Sequence, residues 1–196
     1  MPGANVDFIV TYVDREGGFA IASRRLALRK RRVYFRKKEA LHAIGARTTC
    51  QILAVGPRRC LVTSNGYDVD LTQRELSYSA IPDLRDVYHP GDTLDCIVKS
   101  FDPTAGKLEI SVKETVPNPF GGADFRHPVG SSRQGVISGK YAGGVFVNLP
   151  DGTTIMCSYL FHYDDADFQM QDKVIIMIER YVPEKEQIYG RIVAKC

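Results

Sequence analysis

The chain has 196 residues, 44% hydrophobic and 25% charged, with 26 Lys and Arg against 23 Asp and Glu. Such proportions exclude wholesale disorder and allow one large domain or two small ones. No apolar run reaches the roughly 18 residues of a membrane span, and MPGANVDFIV (1–10) lacks the regions of a secretory signal, so a cytoplasmic protein without a membrane partner is expected.

In chain order, the first element is a strand pair at roughly 5–12 and 18–23, separated by DREGG. A lone two-stranded hairpin is marginal by itself, so it must pack on a neighbouring barrel or on another copy of the chain, which makes self-association through it an expectation. The next segment, RRLALRKRRVYFRKK (24–38), holds nine Lys or Arg in fifteen positions and no acid. The other 17 basic side chains therefore face all 23 acids, so a strongly basic segment is attached to a mildly acidic body.

A helix is predicted over 24–44, with Ser23 as N-cap, Gly45 as stop and apolar groups at Leu26-Ala27-Leu28, Val33-Tyr34-Phe35 and Ala40-Leu41. A merely solvated helix would carry acids three or four residues from its cations. None lies within the run, and Arg24 and Arg25 sit where the helix dipole disfavours cations, so the segment is read as the grip on an anionic partner.

Beyond it, TTCQILAV (48–55) and RRCLVTSNGYDVDLT (58–72) read as a strand followed by a hairpin at Asn65-Gly66. RQGVISGKY (133–141) and GGVFVNLPDGTTIMCSY (143–159) repeat the plan, with a hairpin at Asp151-Gly152. A short helix or turn is expected within 73–92. VPNPFGGADFRHPVGSS (116–132), with three Pro and three Gly, reads as a linker whose Phe120 and Phe125 imply packing.

The most informative internal signal is a repeated terminal strand pair. VDFIVTYVDREGGFAIAS from Val6 aligns without a gap to LDCIVKSFDPTAGKLEIS from Leu94, matching Asp7 with Asp95, Asp14 with Asp102, Gly18 with Gly106 and Ser23 with Ser111. A diverged third copy spans 175–195. Three terminal hairpins accompany two front halves, so the first unit is a partial repeat.

Cys50, Cys60, Cys96, Cys157 and Cys196 are far apart and odd in number, and read as free thiols, four of them within apolar strands. His42, His89, His127 and His162 are isolated in sequence. No metal, cofactor or catalytic constellation is indicated. HYDDADF (162–168) reads as a solvated loop and GKYAGG (139–144) as a hairpin or bulge.

Five short strands with a central hairpin and a terminal hairpin match the plan of an OB-type barrel. RELSYSAIPDLRDVYHPGDTLDCIVKSFDPTAGKLEISVKE (74–114) further resembles the second half of an S-one RNA-binding domain, the OB repeat of the largest protein of the bacterial small ribosomal subunit. The features shared are Glu75-Leu76, Gly91-Asp92, Asp102 and Ser111. DREGGFAIASRRLAL (14–28) resembles the end of one such repeat running into the next. The resemblance implies a mainly β chain. It would carry an N-terminal hairpin and basic helix (1–45), one complete barrel (46–114), a Pro/Gly linker (115–130) and a second barrel (131–196).

It also implies binding of single-stranded RNA with low sequence specificity, in the setting of the ribosome or messenger RNA, without catalysis. Aromatics stack on bases and basic groups track phosphates. Carried over by position, the last repeat offers Tyr141 and Phe146, with Lys140 beside them. Its third-strand His position falls near Cys157, its Asp position near Val182, and its Arg position on Gln187 or Arg191. In the middle repeat the aromatic position falls near Cys60 and the His position near Thr72. Asp102 is retained, Lys107 stands for Arg, and Arg58 and Arg59 add charge. The basic run contributes Arg29, Lys30, Arg31, Arg32 and Arg36.

Several residues carry two readings. Phe146 faces outward if Val145 and Val147 point inward, and is core otherwise. Asp102 either faces RNA or caps the DPTAG turn. Tyr67 and Tyr78 are packing or stacking residues. Loss of the aromatic and His positions in the middle repeat favours a rival function, an adaptor whose barrels dock a protein.

Overall fold

The computed structural model describes residues 3–160 and 163–196. Met1 and His162 lie outside the described residues. The chain is mainly β and divides into two units: residues up to Leu76 with Asp83–Thr115, and Ser77–Pro82 with Val116–Cys196.

In the first unit, β1 (Ile9–Asp14) and β2 (Phe19–Ser23) form an isolated antiparallel pair. The helix α1 (Arg24–Lys37) follows at once, capped by Ser23, whose hydroxyl accepts from the Leu26 N–H at 3.3 Å. The helix predicted to run to residue 44 instead breaks at Lys38, which is extended, and α2 (Glu39–His42) resumes after it. A straight helix would separate residues 35 and 42 by about 10 Å along its axis. The break brings the His42 ring to 5.5 Å from that of Phe35, and both rings pack against Phe101.

The apolar groups of α1 anchor it less than their spacing implies: Ala27 and Phe35 are buried, while Leu26, Val33 and Tyr34 are exposed. Phe35 is the main anchor, surrounded by Tyr67, Phe101 and His42.

The remaining strands of this unit are β3 (Arg47–Val55), β4 (Arg59–Ser64), β5 (Tyr67–Thr72), β6 (Thr93–Asp102) and β7 (Lys107–Ser111), in the sheet order β5-β4-β3-β6-β7. The barrel is nearly closed rather than closed. After β5 the chain turns into α3 (Gln73–Leu76), and the Val112 N–H donates to the Glu75 carbonyl at 2.8 Å across the gap. The β4–β5 turn has positive φ at Asn65 and Gly66, as the Asn-Gly signal predicts. Gly66 is doubly constrained, because a Cβ there would lie 2.5 Å from the Leu28 carbonyl oxygen of α1.

The second unit contains α4 (Ala123–Arg126) and the strands β8 (Ser132–Tyr141), β9 (Gly144–Asn148), β10 (Thr154–Ser158), β11 (Lys173–Val182) and β12 (Gln187–Lys195). These strands close a barrel in the order β10-β12-β11-β8-β9, with a parallel β10–β12 pairing. The β9–β10 connection is longer than the two-residue hairpin expected at Asp151-Gly152. The outermost paired residues are Asn148 and Thr154, and only Gly152 of the two has positive φ.

Residues 116–130 are part of this unit. Ala123 is fully buried in the barrel core and Phe120 packs on that core, whereas Phe125 is exposed, contrary to the packing expected of it. The buried His127 fastens the segment. Its Nε2 lies 2.8 Å from the Asp151 carboxylate, and its Nδ1 accepts from Arg133 Nε at 3.1 Å, which places the proton on Nε2.

Phe35→Ala is expected to cost the first unit about 3–5 kcal/mol and to release α1, read as a lowered first transition and reduced helical circular dichroism. A second prediction concerns Asp151. Burial raises its pKa, but hydrogen bonds from His127, Thr153 and Arg126 outweigh this and hold the carboxyl well below the usual carboxylate range. A depressed carboxylate contributes stability above its unfolded pKa and loses it as pH falls through the folded value. The advantage of wild type over Asp151→Asn in thermal melts should therefore be full at pH 7 and shrink below about pH 4.

Candidate functional site

Strand alternation decides which side chains the second barrel presents. Val145 and Val147 of β9 are fully buried, so Phe146 points outward and is half-buried. Phe146 pairs across the sheet with Met156 of β10, Met156 with Tyr189 of β12, and Tyr189 with Arg180 of β11. The four form one continuous row on the outer surface of the closed barrel.

Gly139 of β8 completes the row, opposite Phe146. A Cβ there would come within 3.1 Å of the Phe146 ring, so the glycine leaves room for the ring to lie over the β8 backbone. Tyr141 lies beside Phe146 with ring centroids 5.0 Å apart, and its hydroxyl donates to the Cys157 carbonyl at 3.4 Å. The Arg180 guanidinium sits 4.4 Å from the Tyr189 ring centroid, while the Tyr189 hydroxyl donates to Gln187 Oε1 at 2.8 Å. Burial raises the Tyr141 pKa, so this phenol is a neutral donor at physiological pH.

Two of the positions carried over by resemblance lie at core residues. Cys157, the expected His position, is buried in the barrel, and the outward neighbour is Met156. Cys60, the expected aromatic position of the first barrel, is likewise buried, and the outward residue is Leu61. Shifting a strand by one residue exchanges its two faces. Arg191 is paired in register with Ser158 and Met177, and its Nε lies 3.5 Å from Glu179. Lys140 donates to the Asp165 carbonyl at 2.6 Å and to its carboxylate at 3.2 Å. The 164–167 stretch is a capped turn.

The equivalent row of the first barrel has a different character. Leu61 pairs with Asp70 and Thr63 with Asp68, so acids stand where the second barrel has Met156 and its neighbours. Arg59 is 3.0 Å from Asp70, and Lys107 is 2.6 Å from Glu109. Arg58 is exposed. Asp102 caps its turn, accepting from the N–H groups of Thr104 and Ala105. Tyr67 is buried as a packing residue.

The basic run is partly compensated, contrary to the sequence expectation, by acids distant in the chain. Arg24 forms two hydrogen bonds with Asp68, at 2.9 and 3.1 Å, and Arg31 lies 2.5 Å from Asp7. Arg32 donates to the Gly66 carbonyl at 2.6 Å, and Arg36 to the Tyr67 hydroxyl at 3.0 Å. Arg25, Arg29, Lys30 and Lys37 have no hydrogen-bonded or ionic partner among the described residues, and all four are exposed.

Cys50, Cys60, Cys96 and Cys157 are buried and free, and Cys196 is exposed. Burial raises the Cys60 pKa to about 11, with Asp70 adding to the shift, and burial raises that of Cys157 as well, so neither is a thiolate nucleophile near neutral pH. Among the described residues no group of three or more His, Cys, Asp or Glu is arranged to hold a metal, and no helix is long and apolar enough to cross a membrane.

With this geometry in view, similarity to known proteins has a structural counterpart. A small ribosomal subunit protein bS1 of Chlamydia trachomatis is 30% identical over 123 residues, covering 58% of this chain and 20% of that protein. The protein of the same name from Rhizobium meliloti is 29% identical over 94 residues, covering 45% and 16%. These similarities over part of the chain support an S-one-like domain. The β content, five-strand units and terminal hairpins of the chain are those of tandem OB folds.

A 4-hydroxy-3-methylbut-2-enyl diphosphate reductase of Clostridium tetani is also similar, 26% identical over 67% of this chain and 20% of that protein. The chain thus spans about a fifth of the length of the first curated relatives it matches. A multidomain protein with nucleic acid binding domains from Streptococcus pneumoniae overlaps with a TM-score of 0.25 at 20% identity, covering 77% of this chain and 46% of that one. The OB assignment rests on the strand order rather than on that overlap. No family model matches the chain.

Tyr189, Met156 and Arg180 were not among the candidates read from the sequence. Tyr189 sits in IYG, where Ile188 and Gly190 are buried, so an alternation signal for an outward aromatic was present.

Proposed function

We propose that the protein binds single-stranded RNA with little sequence preference and without catalysis, through the outer face of the second barrel. The observation that carries this reading is the cross-strand row of Phe146, Met156, Tyr189 and Arg180 on that face, with Tyr141 beside it. Unstacked bases offer π-faces to such a row whatever their identity, and a duplex does not, because its bases are already stacked. Arg180 and Arg191 supply positive charge at the same strands. The exposed cations of α1 add a phosphate-tracking surface on the first unit, composed of Arg25, Arg29, Lys30 and Lys37 rather than the whole run. The ribosomal names of several relatives support RNA as the polymer.

Protein docking keeps a specific observation in its favour at the first barrel. The acids Asp68 and Asp70 make its outer row a poor surface for a polyanion.

Phe146→Ala should weaken binding of labelled oligo-U by about 1–3 kcal/mol in fluorescence anisotropy, with an unchanged melting temperature. Unaltered binding would remove the second barrel from the reading. The cations are tested by salt titration. Each phosphate contact lowers the slope of log K against log salt by about 0.7, so replacing Arg25, Arg29, Lys30 and Lys37 with Gln should flatten it by up to about 3. Replacing the paired Arg31 and Arg32 should change the slope less and the stability more.

A further inference from the structure

The β1–β2 hairpin has the geometry of a barrel's closing hairpin without the rest of a barrel. It pairs Ile9 with Ser23, Val10 with Ala22, Tyr12 with Ile21 and Val13 with Ala20. In β6–β7 the matching pairs are Ile97 with Ser111, Val98 with Ile110, Ser100 with Glu109 and Phe101 with Leu108. The extra residue of the irregularity, Thr11 in one and Lys99 in the other, falls at the same place. Asp14 accepts from the N–H groups of Glu16 and Gly17 as Asp102 does from those of Thr104 and Ala105.

What differs is burial. The inward positions Cys96, Val98, Leu108 and Ile110 are at most 4% exposed. At the corresponding positions of the hairpin, Phe8 is 58% and Val10 49% exposed, and Ala20 and Ala22 are exposed too. The opposite face of β1 is held to the unit at one end, since Asp7 pairs with Arg31 and Ile9 lines a cavity with Ala27 and Tyr34, while Tyr12 and Ile21 on that face are exposed. An apolar face and one edge of β1 are thus left bare, because β1 pairs with β2 alone. Such an edge is a template for strand addition.

We propose that this face and edge accept a three-stranded antiparallel meander, the front half of an OB barrel. The chain itself shows what covers such a hairpin. β3 pairs antiparallel with β6 and leads into β4 and β5, while β8 pairs with β11 and leads into β9 and β10. A second copy of the hairpin is a poorer occupant. Antiparallel β1–β1 pairing centred between Val10 and Thr11 would set Asp7 against Asp14, and like charges directly opposite are destabilising.

The test adds labelled peptides spanning 46–72 or 131–158, the chain's own two front halves, to the full chain. Anisotropy reports binding, and amide hydrogen exchange reports protection at β1. Saturable binding with slowed exchange at residues 8–13 is expected. Val10→Asp, on the bare face, should weaken it by at least about tenfold, because an unpaired charge would be buried. Ile21→Asp, on the other face, should leave binding within about twofold, since that position stays in water. Both positions are exposed, so neither change should alter the melting of the barrels. No binding by either peptide, or equal loss with both substitutions, overturns the proposal. So does a concentration-dependent dimer of the chain alone that Val10→Asp dissociates, which would assign the face to a second copy.

Discussion

The parallel pairing of β10 with β12 is the constraint on which the proposed binding face depends. Without it, Phe146 and Met156 would sit on one sheet edge and Tyr189 and Arg180 on another. Closure turns two half-rows into one surface. Gly190 eases the approach, since a Cβ there would lie 3.3 Å from Ile155 Cγ2 and 3.5 Å from Cys157 Sγ of β10. The valines and isoleucines of the interior then hold each outward side chain in place through strand alternation, so the same residues that stabilise the barrel also orient the row. The first barrel lacks that closure and carries acids on its outer row, which separates the two units in chemistry though they share a plan.

The basic helix shows how charge is divided between folding and binding. Arg24, Arg31, Arg32 and Arg36 are engaged by β5, the turn before it or Asp7 ahead of β1, while Arg25, Arg29, Lys30 and Lys37 face water. Exposed pairs such as Arg24 with Asp68 stabilise by at most about 1 kcal/mol each. Their larger effect is on availability, since a guanidinium already hydrogen-bonded must give up that partner to meet a phosphate.

Much of the fold was legible because its signals are local. Asn65-Gly66 marks a tight turn, Ser23 caps a helix, and the recurring strand–turn–strand pattern exposes the repeated hairpin. The outward orientation of Phe146 was legible as one of two readings, and the buried valines select between them. The errors share a different cause. Asp7 and Asp68 reach the basic run only through tertiary packing, and the break at Lys38 follows from aromatic packing of His42 on Phe35 and Phe101. The His position carried over near Cys157 lies in the core, because strand alternation rather than alignment decides which side chains reach the surface. Tyr189 was overlooked because its importance comes from its cross-strand neighbours, not from its own segment.

The position of residues 116–130 has a practical corollary for dissecting the protein. Their Pro and Gly content invites a cut just before β8, yet Ala123 fills the core beneath that barrel and His127 satisfies Asp151. A fragment beginning at residue 131 would open a hole in its interior and strand a carboxylate, and its poor behaviour could be mistaken for an inability of the barrel to fold alone. A fragment beginning at Val116 keeps the plug and the latch.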